Sequence, residues 1–80
     1  MKIQLLFFAE LREIFGPSRL LDVEEDATIG EVVKHLADES DHFYSKRSSL
    51  IFAVNENFET AEKKLKNSDE LAFMMPMSGG

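Results

Sequence analysis

Eighty residues, 44% hydrophobic and 30% charged, are enough for one small core and too apolar for an unfolded acidic segment, so a single domain over residues 1–80 is expected. Fifteen Asp and Glu against nine Lys and Arg leave a formal charge of −6, the wrong sign for gripping phosphate backbones, and no nucleic-acid partner is expected. The absence of cysteine removes disulfides, thiolate metal sites and thiol nucleophiles from the possibilities and, without a signal sequence, makes the cytoplasm the expected location.

The opening stretch MKIQLLFFAELREIF resembles a secretory leader only superficially, because Glu10, Arg12 and Glu13 break the apolar run and no small-residue cleavage site follows. No stretch approaches the roughly 20 apolar residues of a membrane span, so no membrane is expected as a partner. Residues 2–8 are rich in strand formers, with Ile3, Leu5 and Phe7 on one face and Gln4, Leu6 and Phe8 on the other. A short helix over 10–15 follows, carrying Leu11, Ile14 and Phe15 at helical spacing, with Gly16 to cap it and Pro17 to stop it.

Residues 18–24 are predicted as a second strand. The strongest helix signal comes next: Thr28 as N-cap with Glu31 three residues on forms a capping box. Ile29, Val32, Val33, Leu36 and Ala37 then make one apolar stripe, and the helix is predicted to end near Ser40. The segment DHFYSKRSS is predicted as a loop or short helical turn anchored by Phe43 and Tyr44. Residues 50–54 form a third strand, Asn55, Glu56 and Asn57 a turn, and Phe58 sits in a short strand. A polar connector with Leu65 tucked inward leads through the turn Asn67-Ser68-Asp69 to a last strand over 70–75. This order gives an α+β roll in which the first strand lies beside the last and one long helix crosses one sheet face. Periodicity does not decide whether those two strands run parallel.

Two features stand out as candidate sites. The chain finishes FMMPMSGG, an apolar strand running directly into two glycines. Ser78, Gly79 and Gly80, fully extended, reach about 10 Å at roughly 3.3 to 3.6 Å per residue, and glycine can thread a channel closed to side chains. A terminal carboxylate delivered that way becomes reactive once activated as an acyl-phosphate-type anhydride, which sulfide or an amine then attacks. Against this stands a frayed terminus; the apolar strand behind the glycines favours the first reading. The second feature is an apolar surplus: if Ile3, Leu5, Phe7, Leu71 and Phe73 meet the helix, then Leu6, Phe8, Ala72 and Met74 face the other way. Either a short connector covers them or they bind a partner, with Phe58 joining in. Arg12 either pairs with Glu13 or Asp26 or contacts that partner. His35 and His42, close in sequence to Asp38, Glu39 and Asp41, are expected on a solvated face, and no metal is expected. No nucleophile elbow, phosphate-cradling glycine loop or other catalytic constellation is present.

The stretches LLFFAELREIFG (5–16), TIGEVVKHL (28–36), AVN (53–55) and DELAFMMPMSGG (69–80) resemble the small subunit of molybdopterin synthase, the MoaD-like sulfur carriers. The resemblance implies a ubiquitin-like β-grasp fold, a mixed sheet with its first and last strands parallel, one long helix on one face and a flexible diglycine tail. It implies that an activating enzyme adenylates Gly80 with ATP, that a sulfur source converts it to a thiocarboxylate, and that the tail passes sulfur to a pterin precursor in the large catalytic subunit. The chain itself would then be a non-catalytic co-substrate with no stably bound cofactor. Phe8, Phe58 and Met74 match positions presented to the large subunit and the activating enzyme, and Arg12, Met75, Pro76 and Met77 are grouped with them. Many relatives read F-F-P-P where this chain has Phe73-Met74-Met75-Pro76, so its tail is expected to be less stiff. A carrier for the thiamine thiazole and a ubiquitin-like protein modifier share the same tail chemistry and differ in the acceptor.

Overall fold

In the computed structural model, which describes residues 1–76, alternation and capping produce the elements in the expected order. They are β1 (Lys2–Phe7), α1 (Leu11–Phe15), β2 (Ser18–Asp22), α2 (Ile29–Ala37), α3 (Asp41–Lys46), a 3₁₀ turn (Arg47–Ser49), β3 (Ile51–Val54), β4 (Asn57–Glu59) and β5 (Glu70–Met74). The sheet order is β2-β1-β5-β3-β4. β1 and β5 pair in parallel at its centre, and every other pair is antiparallel.

The register places Leu5 beside Leu71 and Phe7 beside Phe73, so one sheet face is continuously apolar. Ile29, Val32, Val33 and Leu36 of α2 bury against it, because their spacing puts all four on one stripe. Phe43 of α3 fills the rest, edge-on to Phe73 at 6.0 Å and to Phe15 at 5.2 Å, while Phe7 and Phe73 stack at 5.6 Å. Such a contiguous aromatic group contributes both area and shape. The Leu65 side chain, buried as expected, closes the end of this core.

The capping box forms as read: the Glu31 N–H donates to Thr28 Oγ1 at 3.2 Å and the Thr28 N–H to Glu31 Oε1 at 3.0 Å. Residues 61 to 65 run across this helix start. There the Ile29 and Gly30 N–H groups donate to the Lys63 and Ala61 carbonyls at 3.0 and 2.9 Å, and the Leu65 N–H donates to the Ala27 carbonyl at 2.8 Å. All four free N–H groups of the helix start, those of Thr28, Ile29, Gly30 and Glu31, are therefore satisfied. Gly16, at φ 83°, ends α1 as expected and donates its N–H to the Arg12 carbonyl at 2.8 Å.

Four expectations need correction. The second helix stops at Ala37, not near Ser40; Ser40 is the N-cap of α3, its Oγ accepting from the Phe43 N–H at 3.1 Å. The helical layer is consequently built from a nine-residue α2 with α1 and α3 beside it rather than from one long helix. Of the two anchors named in DHFYSKRSS only Phe43 is buried, while Tyr44 is exposed under the Arg47 guanidinium, 3.6 Å from its ring centroid. The strand ends also retreat by one or two residues: β1 stops at Phe7 because Ala9 turns to φ 52°, β2 stops at Asp22 and β5 at Met74.

Candidate functional site

The sheet face turned away from the helices carries the candidate site. On β5, strict alternation sends Leu71 and Phe73 into the core and Ala72 and Met74 outward. Ala72 lies between Leu6 of β1 and Ala53 of β3, and Ala53 is in turn paired with Phe58 of β4. Two alanines at the centre leave a shallow groove between larger neighbours. Leu6, Phe8, Phe58 and Met74 wall it, and Glu56 and Glu70 also line it.

Nothing among the described residues covers this face. The connector that could have folded over it instead lies against the α2 N-terminus, held there by the hydrogen bonds of residues 61 to 65 and by the buried Leu65. Of the two alternatives for the apolar surplus, the covering connector is not what the described residues show. Phe8 is 45% exposed and Phe58 77%, large values for aromatic side chains. Leu20, at 65% exposure, extends the apolar surface to the β2 edge; the register pairs it with Gln4, on the same face as Leu6. Leu20 is not among the residues that alternation alone placed on this face. Its signal was the Leu20-Leu21 step, in which only one of the two can point inward.

Because β1 and β5 are parallel, their C-terminal ends emerge together. The Phe8 N–H extends the ladder by one bond, donating to the Phe73 carbonyl at 3.2 Å, so Phe8 and Met74 flank the place where β5 ends. Met75, grouped with the partner contacts in the sequence reading, continues the alternation and turns to the core side, partly buried against the core cluster. Pro76 is exposed. Met77, Ser78, Gly79 and Gly80 lie outside the described residues.

Arg12 is exposed on α1, which packs against β1, β2 and α3 and not on the open face. Among the described residues it makes no ion pair with Glu13 or Asp26, and it does not line the groove. The histidines separate: His35 faces Glu39 at 3.4 Å and His42 faces Glu10 at 3.8 Å. Among the described residues no three His, Asp or Glu side chains converge as metal ligands, and no helix is long and apolar enough to cross a membrane.

The shortest ion pair among the described residues lies away from the groove. Arg19 of β2 donates from both guanidinium arms to Glu39, at 2.8 and 2.6 Å, tying the sheet edge to the α2–α3 link. That hydrogen-bonded fork holds the Glu39 carboxyl below, and the Arg19 guanidinium above, their ordinary pKa values.

Residues 5–80 match the ThiS family. The chain is 34% identical over 80 residues to the molybdopterin synthase sulfur carrier subunit of Haemophilus influenzae, covering 98% of this chain and 99% of that one. Its fold superposes on the solution structure of the HVO 2177 protein of Haloferax volcanii with a TM-score of 0.89 and 26% identity, over all of this chain and 87% of the other. A chain from the complex of subunits 1 and 2 of the molybdopterin-converting factor of Helicobacter pylori superposes over both full lengths with a TM-score of 0.70; at 17% identity this is a likeness of fold. The ubiquitin-like β-grasp expected from the resemblance is the architecture of this chain.

Proposed function

The chain belongs to the ThiS family, and from that membership we propose that it is the sulfur-carrier subunit of a molybdopterin synthase. One observation carries the reading: the strand that presents Ala72 and Met74 on the uncovered face is the strand that leads into the diglycine. A partner that grips this face receives the end of the chain in the same act.

In this reading an activating enzyme joins the Gly80 carboxylate to AMP from ATP, releasing pyrophosphate. A sulfur nucleophile then attacks the acyl carbon, AMP leaves with the electron pair, and a terminal thiocarboxylate remains. The large subunit binds the open face through Phe8, Phe58 and Met74, admits Ser78, Gly79 and Gly80 to its active site, and consumes the sulfur on the pterin precursor. Catalytic groups and ATP belong to the partners, and the carrier needs no bound cofactor or metal. The cytoplasm, where ATP is available, is the setting. The full-length similarity to a sulfur carrier subunit supports this choice of acceptor over thiazole formation or lysine modification.

The test is the intact mass of the protein after incubation with ATP, an activating enzyme of the family and a sulfide source. A gain equal to exchange of one oxygen for sulfur, discharged when large subunit and pterin precursor are added, is the expected result. No gain, when a control carrier is loaded by the same enzyme, would overturn the proposal.

A further inference from the structure

Sulfur transfer by a tail requires that the tail start from a fixed point. If the last ordered residue wanders, the reactive atom samples a volume instead of a position, and small misplacements of a reacting group cost rate steeply. Residues 74 to 76 show how that point is set. Met74, the end of β5, lies on the open face and belongs to the surface a partner would cover. Pro76 is exposed. Between them Met75 turns the opposite way and packs, partly buried, against the core cluster. The antiparallel register that pairs Ile51 with Met74, extended by one residue, sets Met75 across from Leu50, which also packs on that cluster. Met75 therefore grips from beneath the sheet at the position where pairing stops.

We infer that Met75 is a positioning residue for the transfer reaction: its side chain clamps the root of the tail to the core and so fixes the origin from which Pro76 to Gly80 extend. The inference rests on the carrier reading above. Five residues at roughly 3.3 to 3.6 Å each give a reach of about 17 Å from this anchor. Proline restricts φ at Pro76 but carries no grip on the core, so the direction of exit depends on what holds the residue before it. A thioether suits that position, because its unbranched chain adapts to the irregular rim of a core. Contact with the partner falls to Met74 and its neighbours; Met75 acts on the sulfur only through the geometry it imposes.

The experiment compares wild type with Met75→Gly and Met75→Leu. Backbone ¹⁵N relaxation of the free proteins reads the anchor directly. The Met75 amide is expected near an order parameter of about 0.85 in wild type and Met75→Leu and below about 0.6 in Met75→Gly, with the amides of β1 and β3 unchanged. Single-turnover transfer from preloaded thiocarboxylate to the large subunit with pterin precursor then reads the consequence. Met75→Gly is expected to lower the saturated rate about tenfold or more while the half-saturating concentration moves less than twofold, and Met75→Leu to restore the rate. An order parameter that stays high in Met75→Gly, or a change confined to half-saturation, overturns the inference. Should wild type fail to load or discharge sulfur, the carrier reading fails instead, and the relaxation comparison still decides whether Met75 anchors the chain.

Discussion

Replacing Phe58 by lysine separates the two roles a large aromatic side chain can have. Phe58 is 77% exposed, so only about a quarter of its surface is buried in the free protein. Complete burial of such a side chain is worth about 1.5 to 3 kcal/mol, which puts the folding loss at roughly 0.5 kcal/mol and the fall in melting temperature at about 2 to 4 °C for a domain this size. On a partner the remaining three quarters would be covered. Losing that contact removes about 1 to 2 kcal/mol, and burying the lysine charge adds to it, so Kd should rise roughly ten- to hundredfold. Calorimetric titration of the large subunit with each protein, alongside thermal melting, reads both quantities. The fully buried Phe43 is the contrast, since Phe43→Ala should lower stability by about 3 to 5 kcal/mol. A Phe58→Lys protein that melts far below wild type would mean that Phe58 supports the fold, and one that binds with unchanged Kd would remove the open face from the interface.

Thr28→Ala removes the acceptor for the Glu31 N–H and should lower stability by about 1 kcal/mol, with Thr28→Ser keeping most of it; an unchanged melting temperature would mean the capping box contributes nothing. Asn55 and Glu56 form the two-residue β3–β4 turn with φ of 49° and 72°, a geometry that favours glycine at the second position. Glu56→Gly should therefore raise stability by about 0.5 to 1 kcal/mol, and a loss in denaturant unfolding would contradict the strain. The Glu39 carboxyl is held below its ordinary pKa by Arg19, so the pair's contribution is complete above the unfolded carboxylate value and disappears as pH falls through the lower folded one. Glu39→Gln should be less stable than wild type by at most about 1 kcal/mol at neutral pH, both side chains being partly exposed, with the gap closing in acid; a gap independent of pH would refute the assignment.

Local chemistry was legible in the chain where it is self-contained. Thr28 with Glu31 and Gly16 before Pro17 each specify their own backbone, and both form as read; the turns at Asn55 and Asn67 also form, but those side chains bond across the fold, to Asp69 and to the Lys2 N–H. Ser40 was missed because its capping bond to Phe43 has no acidic residue at the third position to complete the capping-box signature. Alternation sorted Leu6, Phe8, Ala72 and Met74 onto one face. Whether that face was covered depended on the path of residues 60–69, which is decided by donors at the start of α2 and by a buried Leu65, groups distant in sequence. The parallel pairing of β1 with β5 is of the same non-local kind, and the family resemblance supplied it where periodicity could not. The inward turn of Met75 was legible: it follows Leu71 and Phe73 at steps of two, a pattern the grouping of Met75 with its neighbours overlooked.

The central place of β5 also governs how the protein responds to force. A pull on the C-terminus, as when a tail is drawn into a narrow channel, travels along the axis of a strand held on one side by β1 and on the other by β3. Load in that direction is shear: the hydrogen bonds of both ladders stretch together, whereas an edge strand pulled sideways opens like a zipper, one bond at a time. In the proposed function, the end of the chain that would carry the sulfur thus follows a strand braced by a ladder on each side.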